Sequence, residues 1–571
     1  RIRGLDLSKH PEAKDFLLEL ARHPESLPLN TLISRNMSLE ENHITSIAQT
    51  IAFRRLRKLD LAKNRIGDSV IELLTRDSNL QHLRHLDLGF MGMTQEAISE
   101  FVARGAELLG QLESLWLDHN AFGARGGHRL AHALPTDGNL RTLGLAGVGL
   151  GDMVMRLFGQ APALASLTSL DLGFNQLSDR GLLDLFAVYS PTNLRELKLS
   201  GNRLTNSSGF AIANRGDLEN LRVLDLTGGA TSIKRLQEML DTGKLEDLEE
   251  LYLGIWVSDK RRKGFIDKLV KHGGLSKLRV LHVEDHKEKE ITALAKCEAF
   301  GNLEELCLFG MLSTASLEQL LESPNLESLR SLRVVLDHKE IKSALAALRS
   351  SPALQKLERL HVTWRTFNEP LERQDYIDLF ESPNLANLTH LSISLGRQDL
   401  LGPLLASSRF VDLEELIVNV RQGDGEELAE SCKEGIDNLV LTKLTRLALM
   451  ASRNTGFVLD TLKGTPFLGQ IKSLRLQGCD MSTLNAFFDD PVLGNLEMLD
   501  LSILGYAASQ ECVPAISQAK HLDSLHYLLL DSAHRISEFN EYCEKHGSPL
   551  PELLHLGTHE NPIFELDNWI E

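Results

Sequence analysis

Leu56-Arg57-Lys58-Leu59-Asp60-Leu61-Ala62-Lys63-Asn64 decides the fold of this chain. Three leucines and a closing asparagine keep a fixed spacing. The same spacing returns as Leu112, Leu115, Leu117 and Asn120, as Leu167, Leu170, Leu172 and Asn175, and as Leu194, Leu197, Leu199 and Asn202. Copies begin near Ile2, Leu29, Leu56, Leu83, Leu112, Leu140, Leu167, Leu194, Leu221 and Leu248. They continue at Leu278, Leu303, Leu329, Leu357, Leu388, Leu413, Leu444, Ile471, Leu496 and Leu525, with a degenerate copy around Leu554 and Leu556. A period of roughly 27 residues marks a stack of like units sharing one continuous core, not a globule around a centre. The copy at Leu29 is weak, because Ser34 stands where its third leucine belongs.

Each copy predicts the same local structure. The alternation Leu-x-Leu makes a short strand with one face turned inward. Successive strands run parallel, so each needs a crossover. The amphipathic stretch after each motif supplies it: in Ile66-Gly67-Asp68-Ser69-Val70-Ile71-Glu72-Leu73-Leu74 the apolar residues fall at helical spacing. The position of Ile66 recurs as Met93, Phe122, Leu150, Leu177 and Leu204, followed by the small or capping residues Gly67, Thr94, Gly123, Gly151, Ser178 and Thr205. Ser-Pro-Asn-Leu at Ser323 to Leu326 and at Ser382 to Leu385 reads as a helix stop. Helices are wider than strands, so the expected architecture is an α/β solenoid curved like a horseshoe, strands concave and helices convex.

Bulk properties narrow the function classes. The net charge of −18 over 571 residues makes duplex nucleic acid and anionic membrane poor partners. No apolar stretch is long enough to span a bilayer. The cysteines Cys297, Cys307, Cys432, Cys479, Cys512 and Cys543 show no paired spacing. They read as reduced thiols, and a cytoplasmic setting is expected.

These repeats resemble the leucine-rich repeat family, in its ribonuclease-inhibitor-like subclass with long repeats and a full helix in each. The resemblance covers essentially the whole chain. It implies a binding surface and leaves the ligand open. Members of the subclass include enzyme inhibitors, GTPase activators of the Ran type, sensor regions of innate-immune receptors and substrate receptors of ubiquitin ligases. Long intracellular bacterial arrays also read much like this one.

The array is expected to form a single solenoid over residues 1–571, with a regular half at 1–247, a diversified half at 248–550 and a cap at 551–571. In the second half the turn asparagine gives way to Trp256, His286, Met311, Asp337, Arg365, Gly396, Arg421, Ser452 and Cys479, and the spacing scatters. Trp569 would cover the last leucines. No polar cap precedes Ile2, and solenoids need one, so a missing N-terminal domain is expected.

Between the second and third leucines lie the side chains of the concave face. There the aspartates Asp6, Asp60, Asp87, Asp171 and Asp225 read as solvated structural filler. Aromatic residues are scarce, at 5%, so their placement carries weight. Trp116, Trp256 and Trp364 fall in or at the end of a strand, near Tyr252, Ile255, Phe309, Met311, Val335, Leu336, Leu395 and Val420. An apolar stripe on a sheet face is what a binding hot spot needs. The expected partner-binding residues are Trp116, Tyr252, Trp256, His282, Phe309, Arg333, His361, Trp364 and Arg365. The competing reading turns some of them inward to fill irregular repeats.

His282, Glu284, Asp285 and His286 are ligand-type residues, but alternation keeps only His282 and Glu284 on one face, which reads as polar binding surface and not as zinc. Arg222, Glu249, Arg279, Glu304, Arg330 and Glu358 alternate in sign along successive strands, as cross-strand pairs would. No phosphate loop, nucleophile elbow or zinc-protease helix occurs. No catalytic residue, metal or cofactor is expected. The function expected is protein binding, as a scaffold or sensor, with a Ran-type GTPase activator or the sensor region of a larger effector as the alternatives.

Overall fold

In the computed structural model the chain divides into two compact units, Arg1–Asn302 and Leu303–Glu571. The structure describes residues 3–7, 14–23, 25–35, 37, 39–64, 66–76, 79–136, 139–205, 218–228, 246–253, 265–272, 275–283, 288–337, 340–364, 372–395, 397–420, 425–451, 455–477, 487–501, 516, 519, 521, 522, 524, 525, 527–530 and 555–558. The cap at 551–571, with Trp569, lies almost wholly outside them. Among the described residues no helix is long and apolar enough to cross a membrane.

The first unit carries short strands: β1 (Gly4–Asp6), β2 (Thr31–Ile33), β3 (Lys58–Asp60), β4 (His85–Asp87), β5 (Ser114–Trp116), β6 (Thr142–Gly144), β7 (Ser169–Asp171), β8 (Glu196–Lys198), β9 (Val223–Asp225), β10 (Glu250–Leu253) and β11 (Val280–Val283). Each pairs in parallel with the next, and the second leucine of every motif is the register mark: Leu32 opposes Leu59, Leu86 opposes Leu115, and Leu170 opposes Leu197. These leucines are buried under the crossover helices. Helix Ser69–Thr75 buries Val70, Ile71 and Leu74, and helix Gln95–Arg104 buries Ala97, Ile98 and Phe101. The expected capping column is observed. The hydroxyls of Thr94 and Ser178 accept the N–H groups of Glu96 and Arg180. Each hydroxyl also donates to an aspartate of the preceding repeat, Asp68 or Asp152.

The turn asparagines tie consecutive repeats together. Asn202 Oδ1 accepts the N–H groups of Asn175 and Leu177, both at 3.0 Å, and its Nδ2 donates to the carbonyls of Leu172 and Leu199, both at 2.9 Å. Asn64, Asn120 and Asn175 repeat this arrangement. All four are buried. The weak second copy shows its defect directly: Ser34 is fully buried, and its hydroxyl has no hydrogen-bond partner among the described residues.

The second unit begins with longer strands, β12 (Glu305–Leu312), β13 (Ser331–Leu336), β14 (Arg359–Trp364), β15 (His390–Leu395), β16 (Glu415–Val420), β17 (Arg446–Ala451) and β18 (Ser473–Gln477), and ends on the short strands β19 (Met498–Asp500), β20 (Tyr527–Leu530) and β21 (His555–Thr558). They also pair in parallel, with a bulge in β12 between Leu308 and Met311. In the long strands the turn asparagine is absent and the backbone polar groups continue the sheet ladder instead. Its absence alone does not lengthen a strand, since β4 and β6 have Met91 and Val148 in its place and stop after three residues. Both Ser-Pro-Asn-Leu segments end helices as expected, with Ser323 and Ser382 accepting the N–H of Asn325 and Asn384.

Asn202→Ala removes a buried amide that holds four backbone groups. It is expected to cost about 2–4 kcal/mol of stability, measured by denaturant unfolding of the full chain.

Candidate functional site

The helix-free face of each sheet carries the side chains that the sequence singled out. Its character differs between the two units.

In the first unit the column between the second and third leucines is acidic. Asp87, Asp171 and Asp225 each accept the N–H two residues on, from Gly89, Gly173 and Thr227. Asp60 does the same for Ala62. These are aspartate turns that end a strand, so the structural role expected from the sequence holds. Their solvation is graded: Asp60 is buried, Asp87, Asp171 and Asp225 are half-buried, and Asp6 is exposed. Arg35 bridges the first pair, with Nη2 at 2.8 Å from Asp60 and 2.7 Å from Asp87. Lys198 pairs with Glu196 at 2.8 Å and acts electrostatically on Asp171 and Asp225. Burial pushes the carboxyls of Asp87 and Asp171 up to about 6.

Between these two neutralised groups lie Trp116 and Gly144. Asp118 follows the third leucine of its repeat and reaches across to accept the N–H of Ala146 at 2.7 Å. A Cβ on Gly144 would sit 2.6 Å from Asp118 Oδ2 and 2.6 Å from Trp116 Cδ1. The carboxylate and the indole edge therefore converge over the bare glycine. Burial first, then the charge of Asp171, pushes the Asp118 carboxyl up to about 7.

Sequence reasoning missed a second feature. Seven residues after the first leucine of the motif, the backbone enters the left-handed region in repeat after repeat. Lys63 has φ 67°, Phe90 56°, His119 55° and Phe174 53°. Gly147, Gly201 and Gly228 hold the same place with φ of 64°, 63° and 78°. A side chain in this conformation costs about 1–3 kcal/mol where glycine would cost little. The side chains form a shelf. Phe90 and His119 stack with centroids 4.3 Å apart, Phe174 stands 6.2 Å from His119, and Lys63 Nζ lies 5.5 Å above Phe90. Phe174 is 44% exposed. Burial and the nearby Lys63 charge hold the His119 imidazole down at about 4, so it is neutral at pH 7. The signal was present in the sequence as glycines in a column that otherwise holds Lys63 and three rings.

Further along, Tyr252 and His282 meet edge to face at 4.7 Å, and the tyrosine hydroxyl donates to Glu250 at 2.8 Å. Both are half-buried, as is Trp116. The expected pairing of Arg222 with Glu249 is also present. Trp256 and Arg365, along with Ile255, Glu284, Asp285 and His286, lie outside the described residues.

In the second unit the corresponding column is closed. Cys307, Arg333, His361 and Ser392 are all buried. Arg333 lies over the Phe309 ring, with its guanidinium carbon 4.8 Å from the ring centre. Burial and the Arg333 charge push the His361 imidazole down to about 3. Arg333 and His361 are thus enclosed by their neighbours and do not offer themselves to a partner. Phe309 is half-buried, and Met311 is 54% exposed.

Trp364 requires a correction. It opposes Leu336 in the register, is 4% exposed, and packs toward Tyr376 of helix Arg373–Phe380 at 6.3 Å. Leu336, Leu395 and Val420 share this inward column and are buried too. The physical reason is the longer strand: alternation simply continues, so the residue that would have turned outward points into the core.

Three stretches of the chain match known leucine-rich repeats. A family model described as Leucine Rich repeat matches at residues 55–71, 163–186 and 190–213. No curated protein sequence matches the chain. Among solved structures the chain is similar to one titled "Crystal structure of Rad7 and Elc1 complex in yeast". The identity is 16% and the TM-score 0.38, over 72% of this chain and 83% of that one.

Two measurements test the site. The folded chain holds the Asp118 proton up to about pH 7, whereas an unfolded aspartate releases it near pH 3.9. Stability contributed by this group therefore falls as pH rises across that window. Asp171, Asp87 and Lys198 are the charges that act on it. Asp118→Asn is expected to raise the melting temperature at pH 8, with the gain shrinking toward pH 4. At the shelf, Phe174→Gly and Phe174→Ala remove the same ring, but only glycine relieves the backbone. The glycine variant is expected to be about 1 kcal/mol the more stable in denaturant unfolding.

Proposed function

We propose that the chain is a protein-interaction scaffold or sensor, and that a protein partner docks on the helix-free face of its sheets. The observation that carries this reading is the row of half-buried aromatic side chains held rigid on short strands. Trp116 leans over Gly144, and Tyr252 is braced by Glu250 and His282. Rigid aromatic anchors with little rotamer entropy left to lose supply most of the energy of protein interfaces. In the second unit, Phe309 and Met311 present the matching apolar surface. The leucine-rich repeats agree with a binding role.

The test begins with a partner recovered on the full chain. Tyr252→Ala is expected to weaken that complex at least tenfold in isothermal titration while leaving the melting temperature nearly unchanged. Trp364→Ala should do the opposite: it opens a core cavity and costs about 3–5 kcal/mol of stability. A partner whose binding is insensitive to open-face substitutions and is abolished by changes on the crossover helices would overturn the reading. A rise in GTP hydrolysis when the chain is added to a panel of small GTPases would favour the activator alternative.

A further inference from the structure

The acidic column of the first unit supplies its own cations everywhere but in the middle. Arg35 takes Asp60 and Asp87, and Lys198 lies among Glu196, Asp171 and Asp225. Asp118 stands between these groups with one hydrogen bond, from the Ala146 N–H, and no salt-bridge partner among the described residues. We propose that this gap receives a lysine or arginine side chain of a protein partner, so that the open face between β4 and β7 docks a basic segment flanked by apolar residues. The proposal rests on the protein-docking reading above and names the chemistry of the partner.

The chain already shows both halves of the recognition. Arg35 demonstrates that a guanidinium bridges two carboxylates on neighbouring strands of this face, at 2.8 and 2.7 Å. Adjacent strands are about 4.8 Å apart, which suits the fork of a guanidinium. Lys63 demonstrates that an ammonium settles on the shelf, 5.5 Å from the Phe90 ring. At Gly144 the indole edge of Trp116 and the carboxylate of Asp118 close over the bare glycine and fill the space above it, while both side chains stay part-exposed on the open side. A cation arriving from that side would meet the Asp118 carboxylate, and the indole beside it would take the apolar stem of the incoming lysine or arginine. It would also relieve the repulsion among Asp87, Asp118 and Asp171. Beside it, Phe90, His119 and Phe174 offer a ledge for the apolar residues that flank the basic one. The strain held at those three positions is consistent with rings kept for contact. A basic partner also suits a chain of net charge −18, whose field steers cations inward.

The experiment uses the fluorescently labelled full chain on an array of synthetic peptides. These carry arginine, lysine, citrulline or glutamate between apolar residues. N-acetyl-arginine methylamide and calcium chloride serve as small competitors. The expected result is that arginine and lysine peptides bind at least tenfold more tightly than their citrulline and glutamate counterparts. That preference should be lost in Asp118→Asn, which keeps the side-chain shape, and in Asp118→Lys, which supplies a cation from within. Trp116→Ala should weaken binding about tenfold, and Tyr252→Ala should not.

Peptide binding that ignores charge, or that survives Asp118→Asn and is lost in Tyr252→Ala, overturns this inference and leaves the docking reading standing. Competition by calcium or by the free arginine amide at the affinity of the peptides overturns it in favour of a small-cation site. Peptides that bind only through the crossover helices, unaffected by every open-face substitution, overturn both.

Discussion

The side-chain amide of the turn asparagine governs more of this molecule than any leucine does. Where Asn64, Asn120, Asn175 and Asn202 are present, the amide satisfies backbone groups from two successive repeats. The strand can then stop after three residues without leaving a polar group stranded in the interior. Stopping early forces a tight turn, and the tight turn sets one residue in the left-handed region. That residue is Lys63, His119, Phe174 or Gly201, each just before its asparagine. In these four repeats a hydrogen bond in the core is thus coupled to what stands at the edge of the exposed face.

The second unit shows the converse. The residue in the same place relative to the first leucine is Leu336, Trp364, Leu395 or Val420, and each sits in an ordinary strand and points inward. An asparagine next in line accompanies the first fate but is not required for it, since Phe90 and Gly147 are left-handed before Met91 and Val148. The two fates separate an open face graded from half-buried to exposed from one that closes over its central column.

The fold was legible because its signal is redundant. Each leucine column is written into the chain many times, and the register of β2 through β9 follows from the spacing alone. The capping column and the Ser-Pro-Asn-Leu stops were legible for the same reason. The site was legible only in part. Trp116, Tyr252 and His282 were found by counting from the leucines. Trp364 was misplaced because its turn was assumed to come where the first unit has one. Arg333 and His361 occupy the expected column, but how far neighbouring side chains close over them is a property of three strands at once. The shelf of Phe90, His119 and Phe174 escaped because its cause is a backbone angle. That angle leaves only a weak trace in composition, at Gly147, Gly201 and Gly228.

The glycines beside the shelf set a rule for how its relief can vary. A Cβ on Gly147 would fall 2.4 Å from the His119 ring, and one on Gly201 would fall 2.3 Å from Phe174. A ring here either lies flat on a neighbouring ring, as Phe90 and His119 do, or leans into the space of a neighbour that has no side chain. The unit that can be exchanged between arrays of this kind is therefore a pair of repeats and not one. A single repeat moved from elsewhere would carry its ring without the vacancy that the ring leans into, and the surface could be rewritten only in steps of two.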